Sequence, residues 1–447
     1  MNIHTMTALT KTRDKMVASL SGSKSGHKSR SYSGSRSTTI DELYLLSRRY
    51  LEINNKPYRR DIADHKNCFQ HRLSILVGQR GVGKTTLIVQ YLLDQAKNNV
   101  LSTEILYVPS DHFLLGELSL YEIADTFSKL GGKIIAFDEI HKYSNWSKEL
   151  KSIYDTFPDL KIVASGSSAL EIYKGSHDLT RRAVVSSING LSFREYLNMA
   201  FNISFPKYSL DDILKDHPQQ VNEVLKKCDD QKILVLFKKY LQGGYYPYFL
   251  EIDNQDTYFM TLEQNFHTII ESDLTAIYPS LTGNSIRKIK HLLAFIASSV
   301  PFTPKMSTIK NIIDVGDERT LKVYFKYLED ADLIRMVMSG SNKMNSIETP
   351  EKVYLDNPNQ FYAISVGEPN IGAIREVFFL NMLAHDHKVN THKVGDFLVD
   401  NKIVFEIGGK NKSFNQVKNE GNAFLALDEI EHGIGQKIPL WLLGFLY

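Results

Sequence analysis

Gly78-Gln-Arg-Gly-Val-Gly-Lys-Thr85 is the stretch from which the rest of the chain can be read. It has the form G-x-x-x-x-G-K-[ST], the pattern of a phosphate-binding loop. The run before it, Leu73-Ser-Ile-Leu-Val77, is a short apolar strand. The run after it, Thr86-Leu-Ile-Val-Gln-Tyr-Leu-Leu93, has helical spacing. The glycines therefore stand where a strand hands over to a helix, as the motif requires. Gly78, Gly81 and Gly83 admit backbone conformations and close approaches that a side chain would block. Successive N–H groups and the helix N-terminus then face an anion. Lys84 would reach the β- and γ-phosphates, and the Thr85 hydroxyl would ligate magnesium. Gln79, Arg80, Val82 and Thr86 complete the expected contacts to ATP.

The surroundings are those of an ordinary globular chain. Its 447 residues correspond to two to four domains at about 100–200 residues each. A hydrophobic content of 43% is enough for several cores, and a net charge of +2 does not demand a polyanionic partner. The two cysteines, Cys68 and Cys228, lie far apart, which excludes a disulfide scaffold and fits a reducing, cytoplasmic setting. No apolar run approaches the roughly 20 residues of a membrane span, and no leader with an apolar core is present.

Residues 1–38 form a basic, Ser-rich tail that cannot bury enough apolar surface to fold. Folded sequence begins near Thr39, the expected cap of a helix through Asp41–Tyr50. Strands and helices then alternate through 39–207, with strands at Ser74–Val77, Glu104–Val108, Lys133–Phe137, Lys161–Ser165 and Ala183–Ser187. That alternation predicts an α/β fold, a parallel sheet with helices on both faces. A helical linker or lid follows at 208–298. Residues 299–350 have the outline of a winged helix-turn-helix, with helices at Met306–Ile313 and Glu318–Ala331. They are followed by a strand at Leu333–Met338 and a turn from Ser339. A small α/β segment occupies 351–447, with one helix at Ile371–Ala384 and the apolar tail Ile438–Tyr447 as a last buried strand.

The second half of a triphosphatase site is an apolar strand ending in acids. Lys133-Ile-Ile-Ala-Phe-Asp138-Glu139 has that form. Asp138 would hold magnesium and Glu139 would polarise the attacking water. The next strand ends at Ser167 and Ser168, candidate sensors of the γ-phosphate. Arg181 or Arg182 is a candidate arginine finger, acting in cis or in trans.

Ile135-Ala-Phe-Asp-Glu-Ile-His141, Ala164-Ser-Gly-Ser-Ser168, Arg181-Arg182 and Gly190-Leu-Ser-Phe-Arg-Glu-Tyr-Leu197 occur in one order. Together they resemble a family of prokaryotic AAA-type ATPases related to signal-transduction ATPases. In that family the P-loop domain is joined to a C-terminal domain resembling restriction endonucleases. Leu241-Gln-Gly-Gly-Tyr-Tyr-Pro-Tyr248 resembles the family's linker. The resemblance implies nucleotide binding and hydrolysis by Lys84, Thr85, Asp138 and Glu139, with Arg182 the preferred arginine.

In the C-terminal segment, Glu376, Asp396, Glu406 and Lys410 are similar to the acids and lysine of a PD-(D/E)xK nuclease site, which binds magnesium. The spacing from Glu406 to Lys410 is Glu-x-x-x-Lys instead of Glu-x-Lys, and Gly408-Gly409 interrupts it. Gln416 is a candidate supporting residue. Arg319, Lys322 and Lys326 share one face of the expected recognition helix, suited to phosphates of DNA or another nucleic acid. Three functions follow: an ATPase that drives or gates a nucleic-acid-binding module, an ATP-gated protein that binds a protein partner, and an ATP-dependent nuclease. Assembly as a homo-oligomer is compatible with each.

Overall fold

The computed structural model describes residues 35–60, 68–116, 118–166, 179, 181–228, 231–339, 350–365 and 367–447. The basic tail up to residue 34, Ser167, Ser168 and the turn after Ser339 lie outside the described residues. The chain divides into two compact units, Met1–Glu42 and Leu43–Tyr447. The described residues of the first are the opening turns of the helix Ser35–Asn54. That helix starts four residues ahead of Thr39, which is thus not its cap.

In the second unit five short apolar runs form a wholly parallel sheet. They are β1 (Leu73–Val77), β2 (Ile105–Pro109), β3 (Ile134–Asp138), β4 (Lys161–Gly166) and β5 (Ala183–Ser187), in the order β2-β3-β4-β1-β5. β1, β2 and β3 are buried throughout, as expected of strands covered on both faces. Helices occupy the crossovers from β1 to β2, from β2 to β3 and from β3 to β4. The helix Leu120–Lys129 between β2 and β3, and the helix Phe193–Phe201 after β5, begin with reciprocal capping boxes, Ser119 with Glu122 and Ser192 with Glu195. Because the strands are parallel, the loop after β1, the acids ending β3 and the end of β4 emerge on one edge.

Helices and short loops follow from Leu210 to Ser299, with a 3-10 turn at Pro247–Leu250 and a π turn at Ile269–Asp273. Helices Met306–Ile312 and Glu318–Asp330 come next, the second capped by Asp317, which accepts from Thr320 N at 2.8 Å. An antiparallel pair follows, β6 (Ile334–Val337) with β7 (Lys352–Leu355).

The final sheet has the order β12-β11-β10-β9-β8. Its strands are β8 (Val389–Thr391), β9 (Phe397–Val399), β10 (Ile403–Gly408), β11 (Ala423–Leu427) and β12 (Lys437–Pro439). β8, β9 and β10 are antiparallel, whereas β10, β11 and β12 are parallel. Helix Ile371–Leu383 packs against β10.

The apolar tail is not a strand beyond Pro439. It coils into a 3-10 helix, Leu440–Phe445, and every residue of it is buried. A side chain at Gly444 would meet the Phe193 Cβ at 2.5 Å, so the tail lies directly on the helix Phe193–Phe201. Phe193 also meets Phe237 and Phe445, and Phe237 meets Phe378 edge-on at 4.8 Å. Residues from the P-loop sheet, the helical segment and the last sheet thus share one continuous apolar core. Among the described residues no helix is long and apolar enough to cross a membrane.

The candidate nucleotide site and the C-terminal carboxylate cluster

The loop after β1 is held by contacts that only glycine permits. A Cβ on Gly78 would lie 2.2 Å from the Ile188 carbonyl oxygen. Gly83, at φ 97°, turns the chain into the helix Lys84–Gln95. Lys84 is buried, and its Nζ donates to the carbonyls of Gly78 at 2.8 Å and Gln79 at 3.0 Å. Burial pulls the Lys84 ammonium below its ordinary pKa, and the nearby carboxylates of Glu139, Asp138, Asp273 and Asp332 oppose that shift. The Thr85 hydroxyl donates to Asp138 Oδ2 at 2.6 Å. Tyr107 and Ser165 also donate their hydroxyls to Asp138, one to each oxygen. Glu139 follows with φ 51°, a left-handed conformation that costs a non-glycine residue on the order of 1 kcal/mol or more.

Arg80, Lys84, Thr85, Glu139, Lys142 and Tyr248 line a cavity of about 330 Å³, with further walls from Tyr58, Asp111 and Glu251. Two buried atoms around it, Arg80 Nη1 and Glu139 Oε2, have no hydrogen-bond partner among the described residues. Buried polar atoms are normally satisfied, so this pair marks a place for an outside ligand. A guanidinium N–H suits a phosphoryl oxygen, and the hydroxyl–carboxylate pair Thr85–Asp138 is an oxygen donor set for magnesium. The residues present therefore fit Mg–ATP.

Lys142 was not anticipated. It lies three residues after Glu139, with Nζ 2.7 Å from Asp111 and 3.6 Å from Glu139. Burial lowers its pKa, but Asp111 and Glu139 outweigh that and raise it. The only sequence signal for it was its place in the Asp-Glu-Ile-His-Lys run.

Arg182 is not brought to the loop. It pairs with Asp155 at 2.8 and 3.1 Å on the surface, immediately before β5. β5 runs parallel to β1 with Ala183 opposite Leu73, the end of β1 away from the phosphate loop. Arg182 is thus level with Arg72, and six residues at about 3.3 Å each put it roughly 20 Å from Gly78 along the sheet. Arg181 is exposed beside it.

Residues far along the chain reach the loop instead. Tyr248 lies over Gly81, with its ring 2.9 Å from where a Cβ would stand, and Pro247 lies over Gly83. Gln79, 3% exposed, donates to the Asp332 carbonyl at 2.7 Å and accepts from the Tyr246 hydroxyl at 2.7 Å. Arg60 grips Glu195 at 2.6 Å and also donates to the carbonyls of Val82, Asn189 and Gly190. None of these has a sequence signal, because each joins positions separated by at least 22 residues.

In the last sheet Glu376, Asp396 and Glu406 are neighbours, but the lysine beside them is Lys412, not Lys410. β10 ends at Gly408, and the following turn folds Lys412 back over it to form an ion pair with Glu406. Lys410 is left exposed. Gln416 donates to Glu406 Oε2 at 3.2 Å. Asp396 accepts from Ile407 N at 2.8 Å, and Tyr354 donates to Glu376 at 2.9 Å. Burial, and then the Asp396 charge, pushes the Glu376 carboxyl up to about 7. Among the described residues no group of three or more His, Cys, Asp or Glu side chains is placed to hold a metal ion.

Of the expected nucleic-acid contacts, Arg319 is exposed. Lys326 is tied to Asp330 at 2.9 Å and Glu329 at 3.4 Å, and Lys322 is half-buried.

Parts of the chain are similar to known proteins. Residues 70–197 match the family model of an AAA domain, and residues 234–358 match a domain of unknown function (DUF8612). An uncharacterized protein of Methanocaldococcus jannaschii is 28% identical over 377 residues, covering 77% of this chain and 77% of its own length. A second uncharacterized protein of that organism is 23% identical over 364 residues, covering 79% of this chain and 76% of its own. Among solved structures, a Walker-type ATPase of Pyrococcus abyssi superposes with a TM-score of 0.39 at 16% identity, covering 71% of this chain and 94% of its own. The Hsp104–ADP complex of S. cerevisiae gives 0.28 at 14% identity, covering 63% of this chain and 40% of its own. Residues 70–197 are thus similar to an AAA domain, and they carry a five-stranded parallel sheet with a phosphate-binding-loop motif at Gly78–Thr85.

Proposed function

We propose that this chain hydrolyses ATP slowly and uses the nucleotide to gate its C-terminal half. The observation that carries the reading is a pair of buried polar atoms, Arg80 Nη1 and Glu139 Oε2, that have charged neighbours beyond 3.5 Å but no hydrogen-bond partner among the described residues, around a cavity that also holds Lys84 and Thr85. Glu139 accepts a proton from the attacking water and orients it. Lys84 leaves the carbonyls of Gly78 and Gln79 to pair with the phosphates. Arg80 and Lys142 face the charge that builds on the transferred phosphoryl group. Magnesium, held by Thr85 and Asp138, supplies neutralisation of the phosphoryl oxygens when bound.

Gating follows from what covers the loop. Gln79 is bonded to Asp332, at the hinge between helix Glu318–Asp330 and β6, so movement of the loop is transmitted there. The partner on that side is a nucleic acid, held through a winged helix whose outward cation is Arg319. Lys326 on the same face is neutralised by Glu329 and Asp330, which keeps a protein partner as the rival reading.

Titration of the full chain with Mg–ATP in a calorimeter tests the first part. Binding is expected, and Lys84→Ala abolishes it; tight binding that survives this change refutes the assignment. Retention of labelled DNA at low salt, lost with Arg319→Glu, supports the nucleic-acid partner. No retention at low salt eliminates it.

A further inference from the structure

Asp273 is a carboxylate on a helix face that is otherwise apolar. It closes the π turn Ile269–Asp273, and its neighbours Ile269, Ile270 and Ile277 are buried with it. A buried carboxylate costs several kcal/mol unless something charged or polar receives it. π turns of this kind concentrate at functional sites.

The groups that receive Asp273 belong to the nucleotide site. Its Oδ1 lies 3.8 Å from Arg80 Nη1, in the phosphate loop. The same oxygen lies 3.9 Å from His141 Nε2, and that nitrogen lies 3.9 Å from Glu139 Oε2. The Asp273 side chain is 4% exposed and that of His141 fully buried, so water screens little of the attraction between Asp273 and Arg80. The short helix Leu274–Ile277 packs on the 3-10 turn Ile140–Lys142, which fixes the distance between the two segments. Arg80, Asp273, His141 and Glu139 thus form a chain of alternating partners from the phosphate loop to the acid that faces the water.

We propose that Asp273 is a positioning residue for ATP hydrolysis, delivered by the helical segment. It holds the Arg80 guanidinium toward the γ-phosphoryl oxygens and, through His141, steadies the Glu139 carboxylate. This rests on the ATPase reading and adds a condition to it. Hydrolysis requires the π turn to be seated on the loop, so a partner that lifts the helical segment slows turnover without emptying the site.

The test is steady-state Mg–ATP turnover by the full chain carrying Asp273→Asn, which keeps the size and removes the charge. The expected result is a kcat lower by roughly 10- to 100-fold, the loss that follows from slight misplacement of a reacting group. KM should stay within about threefold, because the interaction acts in the transition state. In an Arg80→Ala background the same substitution should cost several-fold less than in the wild type, since only the route through His141 is left for it to break. Asp273→Glu, which keeps the charge, should fall between the two. An unchanged kcat, or an equal loss in both backgrounds, overturns the role of Asp273. Asp273→Asn protein that unfolds while Asp273→Glu retains full kcat and KM also overturns it, marking the residue as structural. Wild-type protein with no Lys84-dependent turnover instead overturns the ATPase reading itself.

Discussion

Replacing Gln79 with methionine would isolate the bond between the phosphate loop and the C-terminal half. Gln79 Nε2 donates to the Asp332 carbonyl at 2.7 Å, and its Oε1 accepts from Tyr246 at 2.7 Å. Methionine keeps the length and roughly the volume, so the packing change is small. Tyr246 keeps one partner, Asn357 Nδ2 at 3.0 Å, but loses its acceptor. The Asp332 carbonyl retains only a marginal contact, Gln360 Nε2 at 3.5 Å. Each lost bond is worth about 1 kcal/mol net, and a stranded buried acceptor costs about 1–3 kcal/mol. The expected destabilisation is therefore about 2–4 kcal/mol. Urea denaturation reads it through the chain's two tryptophans, Trp146 in the P-loop half and Trp441 in the tail. In the wild type the shared core should make both report one transition. In Gln79→Met both midpoints fall. A stability within about 0.5 kcal/mol of wild type, the range of ordinary surface changes, would refute the reasoning.

Three further outcomes are expected. Arg60→Met leaves Glu195, 2% exposed, as an unpaired buried charge and should cost about 3–5 kcal/mol by the same denaturation. Glu376 has a folded-state pKa of about 7 against an ordinary 4.5. Between those values the folded chain binds the extra proton, so stability falls as pH rises through that window, by up to about 3 kcal/mol. Glu376→Gln, which still accepts from Tyr354, should remove this slope between pH 4.5 and 7, and an unchanged slope counts against the burial argument. Lys412→Ala strips the buried Glu406 of its cation and should cost about 1–3 kcal/mol at pH 8. Lys410→Ala, at an exposed site, should stay within about 0.5 kcal/mol, and a reversed order would restore Lys410 as the relevant lysine.

The parts legible in the sequence are those whose physics is local. A strand, a glycine turn and a helix start are contiguous in Leu73–Leu93, so the phosphate loop could be read at once. Apolar runs of about five residues likewise announced each strand of the parallel sheet to within a residue. Asp138 could be read because it ends such a run, and its neighbour Glu139 came with it. Register between strands has no such signature. Motif order offered Arg182 as an arginine finger, in cis or in trans, and could not say where it stands; the pairing of Ala183 with Leu73 puts it level with the far end of β1 in its own chain. Lys412 was missed because the Gly408-Gly409 turn reverses the chain, and spacing counted along a strand fails there.

The closure of the site belongs wholly to the tertiary structure. Tyr248, Asp273 and the Asp332 carbonyl reach the loop from about 165 to 250 positions away, brought there by the shared apolar core. A motif records which atoms can hold a phosphate. Which distant groups surround it is set by packing that spans the whole of Leu43–Tyr447, and no window of sequence contains that information.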